Sequence, residues 1–229
     1  MPAHFDGIPG YFALATARRD DRKDPWTPVH EGARVAIVDA RDAWFDLTEG
    51  TPFVGVSREG ILDLKYSEQS EIPYGWDDVP TVMTGFKVPK DLAEQPVWVL
   101  PADLPGARDS KAFAPVEKGS GTWQVGPFTV VVTLSGQGGE ATVTTAAGGS
   151  VVHAWTTPTS ADIEPTTASL DDPFALGVPR PLGAFRLPDD TVVLLLRAII
   201  PSGVRVDAVG GKPGAIAQVG RRDLILGSP

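Results

Sequence analysis

Proline or glycine interrupts nearly every window of about 11–18 residues over which an amphipathic helix could declare itself. The chain holds 25 Gly and 22 Pro in 229 residues, against a usual combined share of roughly 12%. Proline lacks the N–H a helix needs, and glycine loses the most backbone entropy on ordering, so helices are held to a turn or two. The best helical candidate is "PKDLAEQ", residues 89–95, where Pro89 suits the first turn and Asp91 and Glu94 suit its positive end. What remains predicts a mainly β protein, built of sandwich-like or barrel-like antiparallel sheets with few short helices.

In the first half the strand candidates are "YFALATA" at 11, "RVAIVDA" at 34, "AWFDL" at 43, "PFVGVS" at 52, "ILDLKYS" at 61, "TVMTGFKV" at 81 and "VWVL" at 97. Most are flanked by Gly, Pro or Asp, the usual punctuation of strands. "SREG", 57–60, reads as a hairpin turn that pairs Phe53–Ser57 with Ile61–Tyr66.

The second half alternates more cleanly. Phe128, Val130, Val132 and Leu134 share one parity and Thr129 and Thr133 the other; after "SGQGG", Ala141 and Val143 alternate with Glu140, Thr142 and Thr144. Val151, His153 and Trp155 then share a side, which sets His153 between two apolar neighbours. "TVVLLL" is apolar on both parities, as a central strand covered on both faces would be. Residues 156–182, rich in Thr, Pro and Asp and without a period, read as a long loop, an insertion or a flap. Residues 107–121 read as a connector, which suggests an acidic β-rich unit at 1–117 and a nearly neutral sandwich-like unit at 118–229, a single large β domain being the alternative.

Charge narrows the partners. The net charge is −9; residues 1–117 carry 12 basic and 20 acidic side chains, whereas 118–229 carry 8 and 9. No basic cluster exists to attract phosphate backbones or anionic lipid, so nucleic acid is not an expected partner. No apolar run approaches the ~20 residues of a membrane span, and the N-terminus lacks the basic start and apolar core of a signal peptide, so no membrane insertion by this chain is expected.

Chemistry-bearing motifs are sparse. Cysteine is absent and His4, His30 and His153 stand far apart, so no metal site or cofactor is expected. Four Asp–Asp pairs, at 20–21, 77–78, 171–172 and 189–190, lack calcium-loop spacing and suit turns. No serine-nucleophile elbow is present, and "VGGKPG", 209–214, lacks the ending of a phosphate loop and reads as a hairpin. His153 is therefore expected to be a wall residue rather than a catalytic base. The densest unusual chemistry is "EIPYGWDDVP", 71–80, where Tyr74, Trp76, Asp77 and Asp78 lie between Pro73 and Pro80. Aromatics beside carboxylates can stack a sugar, hold a cation or anchor a protein partner, and these four are the candidate binding residues; the alternative is a loop folded over a sheet end.

"GIPGYFALAT" near the start and "TVVLLLRAIIPSGVRVDAVGGKPGAIAQVG" near the end resemble β-rich ectodomains of actinobacterial envelope proteins, most of which have no assigned activity. A preceding membrane helix, which those proteins have, is not expected from this sequence. Similar strand economy occurs in phage tail and capsid-associated proteins. The resemblance implies an extracellular, cell-envelope or virion setting rather than a cytoplasmic one. The expectation is a non-enzymatic binding or structural module that meets a protein partner or assembles with itself. The alternative is a cofactor-free β-barrel enzyme or small-ligand binder with 156–182 as its lid.

Overall fold

The computed structural model describes residues 5, 7–16, 33–37, 50–74, 79–88, 95–135, 138–156, 169–172, 175–200 and 203–225. It is mainly β, with antiparallel sheets throughout and only short 3-10 turns among the described residues. The helix expected at 89–95 and the strand expected at 43–47 fall almost wholly outside the described residues. Among the described residues no helix is long and apolar enough to cross a membrane.

The chain divides into two units, one holding Pro9–Lys111 and the other Phe5–Ile8 together with Ala112–Pro229. The boundary falls inside the 107–121 stretch, which is not a bare linker: it holds a 3-10 turn at Ala107–Asp109 and two short strands.

In the first unit, β1 (Tyr11–Thr16), β2 (Ala33–Ile37), β3 (Pro52–Ser57), β4 (Gly60–Tyr74), β5 (Val79–Val88) and β6 (Pro96–Pro101) close a barrel in the order β1-β2-β5-β4-β3-β6. The expected hairpin forms at "SREG": Ser57 pairs with Gly60 and Phe53 with Leu64, and the Ser57 hydroxyl donates to the Gly60 carbonyl at 2.9 Å. Closure joins β1 to β6, so that Tyr11 faces Val99 across the seam. Trp98 is fully buried and its indole N–H donates to the Pro9 carbonyl at 2.9 Å. Gly10 permits this approach, because a Cβ there would lie 2.5 Å from the Val99 carbonyl.

In the second unit, β7 (Lys111–Phe113) opens one sheet, the chain crosses to build a five-strand meander, and it returns beside β7. The meander is β8 (Val116–Gly119), β9 (Thr122–Val125), β10 (Phe128–Ser135), β11 (Gly138–Thr145) and β12 (Ser150–Thr156). The return sheet adds β13 (Arg180–Arg186), β14 (Val192–Ile200), β15 (Gly203–Lys212) and β16 (Ala215–Ile225), giving the order β16-β15-β14-β13-β7. The alternation seen in the sequence becomes the sandwich core. Trp123, Val125, Phe128, Val130, Val132, Ala141 and Val143 of the first sheet pack in one cluster with Leu194, Leu196 and Val209 of the second. Val192 to Leu196 are all fully buried, as expected of a strand covered on both faces. On the second sheet's far side, Gly210 and Gly220 leave room for Ile8 and Phe5.

Candidate functional site

β12 turns Val151, His153 and Trp155 inward, as its parity predicts, and leaves Val152 and Ala154 outside. The Trp155 ring covers Gly139: a Cβ on Gly139 would lie 3.0 Å from Trp155 Cζ2 and would run into the Thr133 carbonyl. Opposite stands the inner face of the second sheet. Its residues change along the strands from apolar Leu194, Leu196 and Val209 to Asp207 and Arg205, which pair in register with Leu196 and Ala198. The sandwich interior thus ends in polar side chains, and a cleft of about 200 Å³ opens there between β12 and the ends of β14, β15 and β16.

The floor of the cleft is one connected group. Arg221, opposite Asp207 in the β15–β16 register, donates from Nε to Asp207 Oδ1 at 2.6 Å. His153 Nε2 lies 3.5 Å from Asp207 Oδ2, its Nδ1 lies 3.3 Å from Gln218 Oε1, and Gln218 Nε2 reaches Asp207 Oδ1 at 3.5 Å. Asp207 and His153 are 3% and 5% exposed, so a carboxylate removed from water is held by a charged partner and two longer, weaker contacts.

A bulge assembles the group. The β15–β16 register shifts between Ala208 and Val209, so that Gln218 pairs with Val209 while Gly220 pairs with Ala208 and Arg221 with Asp207. The extra residue, Val219, sets Gln218 and Arg221 on the same face, where simple alternation would separate them.

Both ring nitrogens of His153 face oxygens, and among the described residues no hydroxyl hydrogen-bonds to either of them. No group of three or more His, Cys, Asp or Glu converges as a metal ion would require, among the described residues. Trp155 lines the cleft, and its indole N–H is buried with no acceptor among the described residues.

Both flanks of the 156–182 segment reach this place. Thr156 lines the cleft from one side, Gly177 and Pro179 from the other. The second flank is tied down: the Gly177 N–H donates to the Ile199 carbonyl at 2.8 Å, Arg180 donates to the carbonyls of Leu170 and Asp172, and Leu170 and Ala175 pack against the core.

Of the residues singled out in the sequence, Tyr74 ends β4 opposite Val79, and Trp76, Asp77 and Asp78 lie outside the described residues. The described parts of the 71–80 stretch, 71–74 and 79–80, are strand rather than loop: Pro73 pairs with Pro80 in the β4–β5 ladder. His153 is a buried wall residue that also borders the cleft. Sequence reasoning missed Asp207, Gln218, Arg205 and Arg221. No family model, curated protein or solved structure matches the chain.

Proposed function

We propose that the chain is a non-enzymatic binding module and that its sandwich unit holds a ligand in the cleft beside β12. The observation that carries this reading is the closed group on the cleft floor. Asp207, His153, Gln218 and Arg221 direct their polar atoms at one another, which gives a fixed, charged surface, and among the described residues no hydroxyl hydrogen-bonds to His153 as an activated nucleophile would. Thr156, Gly177 and Pro179 at the cleft rim support the small-ligand form of the reading, in which these three residues border the bound group.

The test is an NMR titration with a fragment library, following the Trp155 indole N–H and the amides of 153–156 and 205–207. Binding shifts concentrated there, with the fragments recovered unchanged, support the reading. Shifts confined to other surfaces refute it, as does turnover of any substrate that is lost in Asp207→Asn without loss of fold.

A further inference from the structure

Among the described residues the sandwich has four edge strands, and three of them are blunted. β7 is 3 residues long. β8 is 4 residues long, carries Glu117 and Lys118, and has a register break between Glu117 and Gly119. β16 carries Arg221, Arg222 and Asp223 and contains the bulge described above. Short length, charge and bulges are the devices by which sheets resist pairing with foreign strands. β12 shows none of them. Its 7 residues, Ser150–Thr156, contain no Pro, Lys, Arg, Asp or Glu. Its register with β11 runs unbroken from Gly138↔Thr156 to Thr144↔Ser150, and among the described residues β11 is the strand it pairs with. Its outward Val152 is 57% exposed.

A second observation lies beside this edge. The cleft is bordered by four consecutive residues of β12, His153 to Thr156, on the side toward which a strand added to β12 would turn alternate side chains. We propose that β12 receives an extended segment of another polypeptide by strand addition, and that the cleft takes one inward side chain of that segment, a carboxylate or a carboxamide. This rests on the reading of the cleft as a ligand site and adds to it the class of ligand.

The cleft's size and chemistry select the occupant. About 200 Å³ is below the roughly 300–1,000 Å³ of pockets that enclose a whole small molecule, and suits one side chain. Arg205 and Arg221 bring N–H donors only, the oxygens of Asp207 already accept from Arg221 and Gln218 and lie 3.5 Å from His153 Nε2, and the Trp155 N–H has no acceptor among the described residues. A side chain rich in acceptors fits this balance, and a lysine does not. A second copy of this chain fits less well. Its β12 could pair with this one, but its own inward His153 and Trp155 are buried in its own sandwich and could not enter the cleft. A strand from a different polypeptide has no such commitment, and strand addition with alternate side-chain pockets is a common mode of peptide recognition.

The test uses the whole chain and labelled peptides of about nine residues, longer than a typical strand, in which Thr and Val alternate around a central Glu, Gln, Leu or Lys. Fluorescence anisotropy reads affinity, amide hydrogen exchange reads the edge, and thermal melts confirm that each variant is folded. The Glu and Gln peptides are expected to bind at least tenfold more tightly than the Lys and Leu peptides and to protect amides within 150–156. Val152→Lys, which charges the edge, weakens them at least tenfold. Val131→Lys, on the same outer face but on the interior strand β10, leaves them unchanged. Arg205→Gln removes the advantage of Glu over Leu.

Three results overturn the proposal: no peptide protects 150–156, the Lys or Leu peptide binds as well as the Glu peptide, or Val131→Lys weakens binding as much as Val152→Lys. Fragments that bind the cleft while every peptide fails refute strand addition and leave the binding reading standing; failure of both removes both.

Discussion

Arg221 and Asp207 face each other across β15 and β16 at 2.6 Å, and their environments differ: the carboxylate is 3% exposed and the arginine side chain 47%. Removing either partner therefore has a different effect. Without Arg221 a buried charge keeps only its two longer contacts, whereas without Asp207 the arginine can turn to water. Arg221→Leu is expected to destabilise the sandwich by about 1.5–3 kcal/mol, more than the exposure of Arg221 alone would suggest. Adding Asp207→Asn should restore part of the loss. Urea unfolding of the two single variants and the double variant measures this, and strictly additive effects would count against the coupling.

His153 closes the same group from the opposite sheet. His153→Ala leaves a void beside Trp155 and removes the contacts to Gln218 and Asp207, so a loss of about 2 kcal/mol or more is expected. Because His153 also borders the cleft, fragment binding should weaken together with stability. A variant that melts like the parent chain would show that the histidine contributes nothing to the wall.

Gly139 is fixed by backbone rather than by torsion. A Cβ there would run into the carbonyl of Thr133, a residue of the β10–β11 ladder, and would also press on the Trp155 ring. Gly139→Ala is expected to cost more than about 3 kcal/mol as overpacking that the strand cannot relieve. It should also disturb the register of β12. Far-UV circular dichroism and a melt decide it, and a shift of less than a few degrees would contradict the contact.

The sandwich core was legible because alternation survives where one face is buried: Val130, Val132, Ala141 and Val143 keep their parity from sequence to structure. The cleft group was not. Asp207 shares parity with Val209, so its inward direction could have been read, but Gln218 and Arg221 are three apart and parity assigns them to opposite faces. Only the bulge at Val219, which lacks a sequence signature here, reunites them. His153 meets them through the packing of two sheets, a relation no local pattern encodes. The barrel shows the same limit: its hairpin at 57–60 was readable, while the β1–β6 closure joins strands about eighty residues apart. The sequence of 71–80 reads as a loop, yet the backbone of 71–74 continues β4 opposite β5.

The β13–β14 turn, Pro188 to Thr191, sets two consecutive non-glycine residues in the left-handed region, Asp189 at φ 58° and Asp190 at φ 54°. This is the torsional pattern of the tight hairpin turn in which Gly is favoured at the second position. The Lys212 ammonium donates to the Asp189 carbonyl, a contact that replacing the next side chain leaves in place. Asp190→Gly is expected to stabilise the sandwich by about 0.5–1 kcal/mol, and Asp190→Val to destabilise it by about 1–2 kcal/mol. Chemical denaturation of the pair measures both, and the same sign for both would contradict the torsional account.

Tyr11 carries the pH prediction. Its side chain is 1% exposed in the barrel seam, and burial raises its phenol above the ordinary value. The folded state therefore favours the neutral form. Below the phenol value of the unfolded chain, about 10, both states are protonated and the favourable contribution is fully present. As pH rises beyond that, the unfolded chain releases its proton first, and the contribution falls until the folded phenol also ionises. The barrel should thus lose stability steadily above about pH 10, and Tyr11→Phe should flatten that decline without changing the acidic side of the profile. Urea midpoints taken from neutral to strongly alkaline pH for both chains provide the comparison. An equally steep alkaline loss in Tyr11→Phe would assign the effect to another group.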